Sequence, residues 1–130
     1  MDIGAYFKGK RLERGLKLHE AADHVGLSER TIGDVERNEN KPSWRTFMEL
    51  LRFYNVSLCL DTEIVTDYSF GLILNAKRKA NKQTLNDISK ATGVYLTTIS
   101  TYERGEQFPK FDTLERLAQA LGLELELIEN

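Results

Sequence analysis

The side chains of this chain with the chemistry to engage a partner are gathered in two stretches of one grammar. They are GLSERTIGDVERNENKP, from Gly26 to Pro42, and GVYLTTISTYERGEQFP, from Gly93 to Pro109. Each begins with Gly and an aliphatic residue, carries Thr-Ile ahead of Glu-Arg, and closes on Pro. Carboxylates, guanidinium groups, hydroxyls and amides fill much of the remainder, so the chemistry on offer is hydrogen bonding and ion pairing. A tight turn at Gly26 or Gly93 predicts a short helix from Ser28 or Tyr95, and Ser28 is suited to cap its first free N–H groups.

Bond-making chemistry has no comparable set of residues. No nucleophile-base arrangement, metal cluster or phosphate-binding Gly loop accompanies these stretches. His19 and His24 are five residues apart, off the three-or-four spacing that puts two ligands on one helical face. Neither has a Cys or second His to complete a site, and both are expected to be solvated or half-buried. The sequence therefore predicts no enzymatic activity, no metal and no cofactor. The single cysteine, Cys59, excludes an internal disulfide and suits a reducing cytosol; a packed thiol is the expectation ahead of a redox switch.

The elements that must position the two stretches come from a repeat. Sliding the sequence on itself from Gly4 to Gly71, a shift of 71 − 4 = 67 residues, keeps register without a gap as far as Thr62 opposite Glu129. Among the identical pairs are Arg11/Arg78, Gly26/Gly93, Ile32/Ile99, Glu36/Glu103, Arg37/Arg104, Glu39/Glu106 and Pro42/Pro109. Such a register implies duplication: one unit over residues 1–62, a junction over 63–69 and a second unit over 70–130. Units this small bury only about 60% of their unfolded surface and should lean on each other or on a partner.

Four helices are predicted per unit, at about Ile3–Arg14, Leu18–Val25, from Ser28, and Ser43–Tyr54, then Phe70–Asn81, Leu85–Thr92, from Tyr95, and Lys110–Leu121. Trp44, Tyr54, Tyr102 and Phe111 are expected in the core. The period then changes to alternation in Val56-Ser-Leu-Cys-Leu-Asp and Leu123-Glu-Leu-Glu-Leu, which predicts strands. The two strands either pair within the chain or each pairs with another copy to build a homodimer, and the sequence does not choose. Net charge is −2, so any nucleic-acid surface must be local. No apolar run approaches the ~18 residues of a membrane span, and a cytoplasmic protein without membrane contact is expected.

These residues resemble the Cro and phage-repressor helix-turn-helix family, nearly end to end and twice. Arg78, Leu85 to Ser89, Gly93, Thr98-Ile99-Ser100, Tyr102-Glu103-Arg104-Gly105, Pro109 and Leu117 to Gly122 follow the family pattern closely. In unit one, Asn38 stands where Gly is usual, and Phe53-Tyr54-Asn55 replaces Ala-Leu-Gly. The fold implied is mainly α: two tandem lambda-repressor-like units, each of four helices and a short β-strand. The trailing strand resembles the antitoxin-type branch, where it helps dimerise. A bacterial or phage-encoded origin follows from the same likeness.

The resemblance also implies a site. The first half of the third helix lies in the major groove, with phosphates held by nearby helix ends and the loop before the fourth helix. Position by position, the base-facing residues are Glu29, Arg30, Gly33 and Asp34 in unit one and Leu96, Thr97, Ser100 and Thr101 in unit two. Asn38, Asn40, Lys41 and Arg45, with Gln107 and Lys110, are the phosphate contacts. Glu36 and Glu103 are placed against Arg11 and Arg78 as largely buried ion pairs. Glu29, Asp34, Glu36 and Glu39 make unit one acidic, so unit two is the expected reader. The sequence thus predicts a DNA-binding regulator, a repressor of a pseudo-palindromic operator. The alternative is an antitoxin-like or phage-encoded module in which a unit binds a protein such as a toxin.

Overall fold

The computed structural model describes all residues 1–130, which divide into two compact units, Met1–Val56 and Ser57–Asn130. Unit one comprises α1 (Ile3–Glu13), α2 (Leu18–Val25), α3 (Glu29–Glu36) and α4 (Trp44–Phe53). Its helix starts follow from local chemistry. Asp2 accepts from the Ala5 N–H at 2.9 Å, Ser28 Oγ from the Thr31 N–H at 3.0 Å, and Ser43 Oγ from the Thr46 N–H at 3.2 Å. Each bond satisfies a donor that a helix start leaves over. Gly26, at φ +80°, ends α2 and turns the chain into α3. Ile3, Phe7, Ala21, Ile32, Val35, Phe47, Leu50 and Leu51 close the core. Trp44 and Tyr54 are also buried, as the family positions imply.

Unit two repeats the design in α5 (Phe70–Ala80), α6 (Leu85–Thr92), α7 (Leu96–Glu103) and α8 (Phe111–Leu121). Thr84 and Asp87 cap α6 reciprocally, at 3.0 and 2.8 Å. Phe70, Leu74, Ile88, Ile99, Phe111, Leu114 and Leu117 fill its core, with Tyr102 at the edge. Every helix of this unit starts 67 residues after its counterpart, for example 70 − 3 and 96 − 29. No helix in the chain is long and apolar enough to cross a membrane.

The strands depart from that symmetry. β1 (Val56–Leu60), β2 (Glu63–Ile64) and β3 (Leu125–Glu129) form one sheet in the order β2-β1-β3, so the long strands pair within the chain. β1 is the centre because it is apolar on both faces: Val56, Leu58 and Leu60 on one side and the buried thiol of Cys59 on the other. The expected first unit ended at residue 62, whereas residues from Ser57 onward pack with unit two. Just before the expected junction, Asp61 and Thr62, both at positive φ (49° and 70°), close a two-residue hairpin that pairs Leu60 with Glu63. Asp-Thr is a weaker hairpin signal than Asp-Gly, which is why β2 escaped the sequence pattern. Asp61 also accepts from the Glu124 N–H at 2.7 Å and from Lys77 Nζ at 3.3 Å. The Glu124 N–H, and then Lys77, hold its carboxyl below the ordinary value.

Candidate nucleic-acid interface

Two contacts fix the third helix of each unit. The first is a close approach by α1 or α5. A Cβ added at Gly4 would lie 2.6 Å from the Val35 carbonyl oxygen, and one at Gly71 would lie 2.5 Å from that of Tyr102. Only glycine lets the helices come this near. The second is an arginine fork. Arg11 Nε and Nη2 donate to Glu36 at 2.9 Å each, and Arg78 Nε and Nη2 donate to Glu103 at 2.7 and 3.0 Å. Each arginine also donates through Nη1 to a backbone carbonyl, Leu16 or Gln83. Asn75 adds a third donor to Glu103 at 2.7 Å. Burial pushes the Glu103 carboxyl up, but the bonds from Arg78 and Asn75 and the Arg78 charge outweigh it, leaving the group below its ordinary value.

On α3 the expected base-facing residues separate. Glu29 and Arg30 are exposed at the first turn. Gly33 is buried and presents nothing to a groove. Its cover is Arg37, whose Nη1 would lie 2.7 Å from a Cβ placed on Gly33. Asp34 is turned to its neighbours: it accepts from Arg37 Nη2 at 2.8 Å and Asn40 Nδ2 at 3.2 Å, and lies 3.9 Å from Arg30 Nε.

On α7 the first turn stands open. Leu96 is 43% exposed, Thr97 is exposed, and Tyr95 ahead of them is 81% exposed and caps nothing. Ser100 and Thr101 are half-buried. Ser100 Oγ accepts from Arg104 Nη1, and Thr101 Oγ1 donates to the Thr98 carbonyl at 2.6 Å and meets Gln107 Oε1 at 3.1 Å. The structure therefore brings Leu96 and Thr97 to the surface together and turns Thr101 inward.

The residues expected on phosphate divide in the same way. Lys41 and Lys110 are exposed, and Arg45 reaches out with its side chain 88% exposed and an ion pair to Glu49 at 3.1 Å. Asn38, at φ +57°, takes the left-handed conformation that Gly105 takes at +72°. Its amide, however, is committed inward, accepting from the Gly4 N–H at 3.2 Å and donating to Asp2 at 2.8 Å. Asn40 is held by Asp34 and Gln107 by Thr101. The bond from Ala5 N–H, then Asn38, holds the Asp2 carboxyl below its ordinary value.

Sequence reasoning passed over Arg37 and Arg104, the cations lying across the middle of α3 and α7. The signal was present: each stands four residues after a reading position and two before a glutamate. The histidines are both exposed, and the ring of His24 stacks on Phe53 at 6.0 Å. No group of His, Cys, Asp and Glu is arranged to hold a metal ion.

A family model described as Helix-turn-helix matches residues 7–60, and one described as Helix-turn-helix domain matches residues 69–130. Neither the curated proteins nor the solved structures yielded a match. Two matches in tandem, laid over two copies of the same four-helix arrangement, place the chain in the helix-turn-helix family of the Cro and phage-repressor type, as a DNA-binding regulator with two such units.

Proposed function

We propose that the protein is a repressor that reads an asymmetric, pseudo-palindromic operator, with α7 as the principal reading helix and α3 as a weaker one. The observation that carries this is the open first turn of α7, where Leu96 and Thr97 project without side-chain partners. A leucine and a threonine methyl suit the thymine methyl in the major groove, and the threonine hydroxyl suits either donor or acceptor edges. On α3, Arg30 offers a fork for guanine, while Glu29 repels phosphate unless it meets a cytosine amine. Lys41, Arg45 and Lys110 would hold the backbone on either side. Two readers in one chain raise the effective concentration of the second once the first is bound, provided half-sites stand about 34 Å apart.

Gel shifts on an operator selected from a randomised duplex library test this reading. Thr97→Ala is expected to weaken binding and relax preference at one position, and Arg30→Ala to do so less. Equal indifference to both substitutions would remove α3 and α7 as readers. The acidity of α3 favours a second reading for unit one alone, a protein partner such as a toxin. Under that reading, DNA binding by unit one would be absent or insensitive to salt, whereas phosphate contacts give a slope of about −0.9 per phosphate neutralised.

A further inference from the structure

A groove of about 470 Å³ lies in unit two between α5 and the β1–β2 hairpin. Small-molecule sites occupy about 300–1,000 Å³ and are mostly apolar, with a few placed polar groups. Leu60, Ile73 and Leu123 line the groove and are buried by packing within the unit. Leu72, Ala76 and Ala80 line it from the helix. Spaced four apart, they share one face of α5, turned away from the face on which Gly71, Asn75 and Arg78 meet α7. The two alanines keep the space open. Packing does not account for Leu72, which is 70% exposed. One exposed leucine says little by itself, but this one forms part of a concave apolar surface.

Unit one has no such face. The matching positions on α1 are Ala5, Tyr6, Gly9, Lys10 and Glu13. There Lys10 pairs with Glu13 at 3.4 Å and lies 5.6 Å from the centre of the Tyr6 ring, so the polar groups satisfy one another. The four-helix fold therefore does not require an apolar outer face on its first helix.

The charges at the rim select the occupant. Lys77 Nζ is taken up by Asp61 at 3.3 Å. The Ser69 hydroxyl is also in use, accepting from the Thr66 N–H at 2.8 Å and donating to the Ile64 carbonyl at 3.0 Å. Glu63 is exposed and makes no ion pair, so the lining holds two carboxylates against one ammonium. Beyond Asp61 the surface stays acidic: a bond to Glu126, and the charges of Glu126 and Asp61, push the Glu124 carboxyl up. A second copy docked through a two-fold axis would set this negative patch against itself. A cation answers it.

We propose that the groove binds a small amphipathic cation, a protonated amine whose alkyl or aryl body lies on Leu72, Ala76 and Leu123 while its ammonium meets Glu63 and Asp61. The site does not depend on whether the protein binds DNA.

The test is a titration of the full chain at neutral pH, followed by amide chemical shifts, with octylamine, octanol and octanoate as probes of equal chain length. Octylamine is expected to give saturable shifts centred on Glu63, Leu72, Ala76, Lys77 and Leu123, with octanol binding more weakly and octanoate most weakly. Glu63→Gln should weaken octylamine by about 1.5- to 5-fold and leave octanol unchanged. Ala76→Phe should fill the groove and abolish the saturable shifts from both. If that variant unfolds unit two, Leu72→Gln takes its place and should weaken octylamine and octanol alike; unchanged affinity overturns the proposal. Shifts that do not saturate, or that spread equally over unit one, also overturn it, as does octanoate binding as tightly as octylamine. Shifts at the same amides on raising protein concentration without amine assign the groove to a second copy and overturn it in that direction.

Discussion

Helices α3 and α7 have the same length, the same position in their units and the same ion pair beneath them, yet they present opposite surfaces. The outer residues of α3 bond to one another through Asp34, which holds Arg37 and Asn40 and lies 3.9 Å from Arg30. Those of α7 leave the first turn free, with Tyr95, Leu96 and Thr97 facing solvent. A scaffold buried behind a helix constrains its inner face and leaves the outer face to drift. The carboxylates and guanidinium groups of α3 make a self-satisfied surface that a groove must compete with. Leu96 and Thr97, in the first turn of α7, ask for no such exchange.

The comparison breaks most decisively at the buried pairs. Removing one partner of a buried ion pair costs on the order of 3 to 5 kcal/mol, because the other charge is stranded. Arg11→Ala leaves Glu36 with neither of its two guanidinium bonds, whereas Arg78→Ala leaves Glu103 still bonded to Asn75. Arg11→Ala is therefore expected to fall at the upper end of that range and Arg78→Ala at the lower. Hydrogen exchange resolved by unit is the measurement. Equal losses would show that Asn75 contributes nothing.

A smaller effect of opposite sign is expected at Tyr54. Its hydroxyl is buried without a hydrogen-bond partner, and burial, then the Glu36 charge, push its ionisation up to about 12. Leu121 stands at the corresponding place in unit two and carries no polar atom. Since an unsatisfied buried hydroxyl costs about 1–3 kcal/mol, Tyr54→Phe should raise the melting temperature of unit one. A lower melt would mean that the hydroxyl is bonded in solution.

The smallest expected effect is on acid stability. Glu103 is held below its ordinary value of 4.5, so its pairing adds stability above that pH and loses it as pH falls through the folded-state value. Glu103→Gln should flatten the acid limb of unit two's stability curve below the ordinary value, whatever it does to stability at neutral pH. An unaltered acid limb would place the titration elsewhere.

The helices were legible in the sequence because cap, period and repeat all agreed. Ser28, Ser43, Gly26 and Gly93 mark boundaries chemically, and the 67-residue register carries each boundary to the other unit. Gly4 and Gly71 were visible as identities, but the reason for them, a backbone oxygen within 2.6 Å of the missing Cβ, exists only in three dimensions. The same limit applied at the candidate site. Family position placed Gly33, Asp34 and Asn38 toward DNA, whereas Arg37 covers Gly33 and captures Asp34 from about one turn away, and the start of α1 captures Asn38. Those captures depend on rotamers, which spacing along the chain does not encode. The β1 strand was read correctly as a strand and attached to the unit that precedes it, because a repeat carries no record of which neighbours a segment packs against.

That last feature sets where the protein can be divided. The period of the sequence and the period of the packing are out of phase by the length of one strand. A fragment cut at the sequence boundary, beginning at Glu63, would leave β2 and β3 with the gap of their central strand between them. The complementary fragment would carry Leu58, Cys59 and Leu60 as an apolar tail with nothing to shield it, an invitation to self-association. The packing boundary falls after Val56, the first residue of β1, so the boundary for dissecting the two units lies six residues before the end of the first repeat at Thr62.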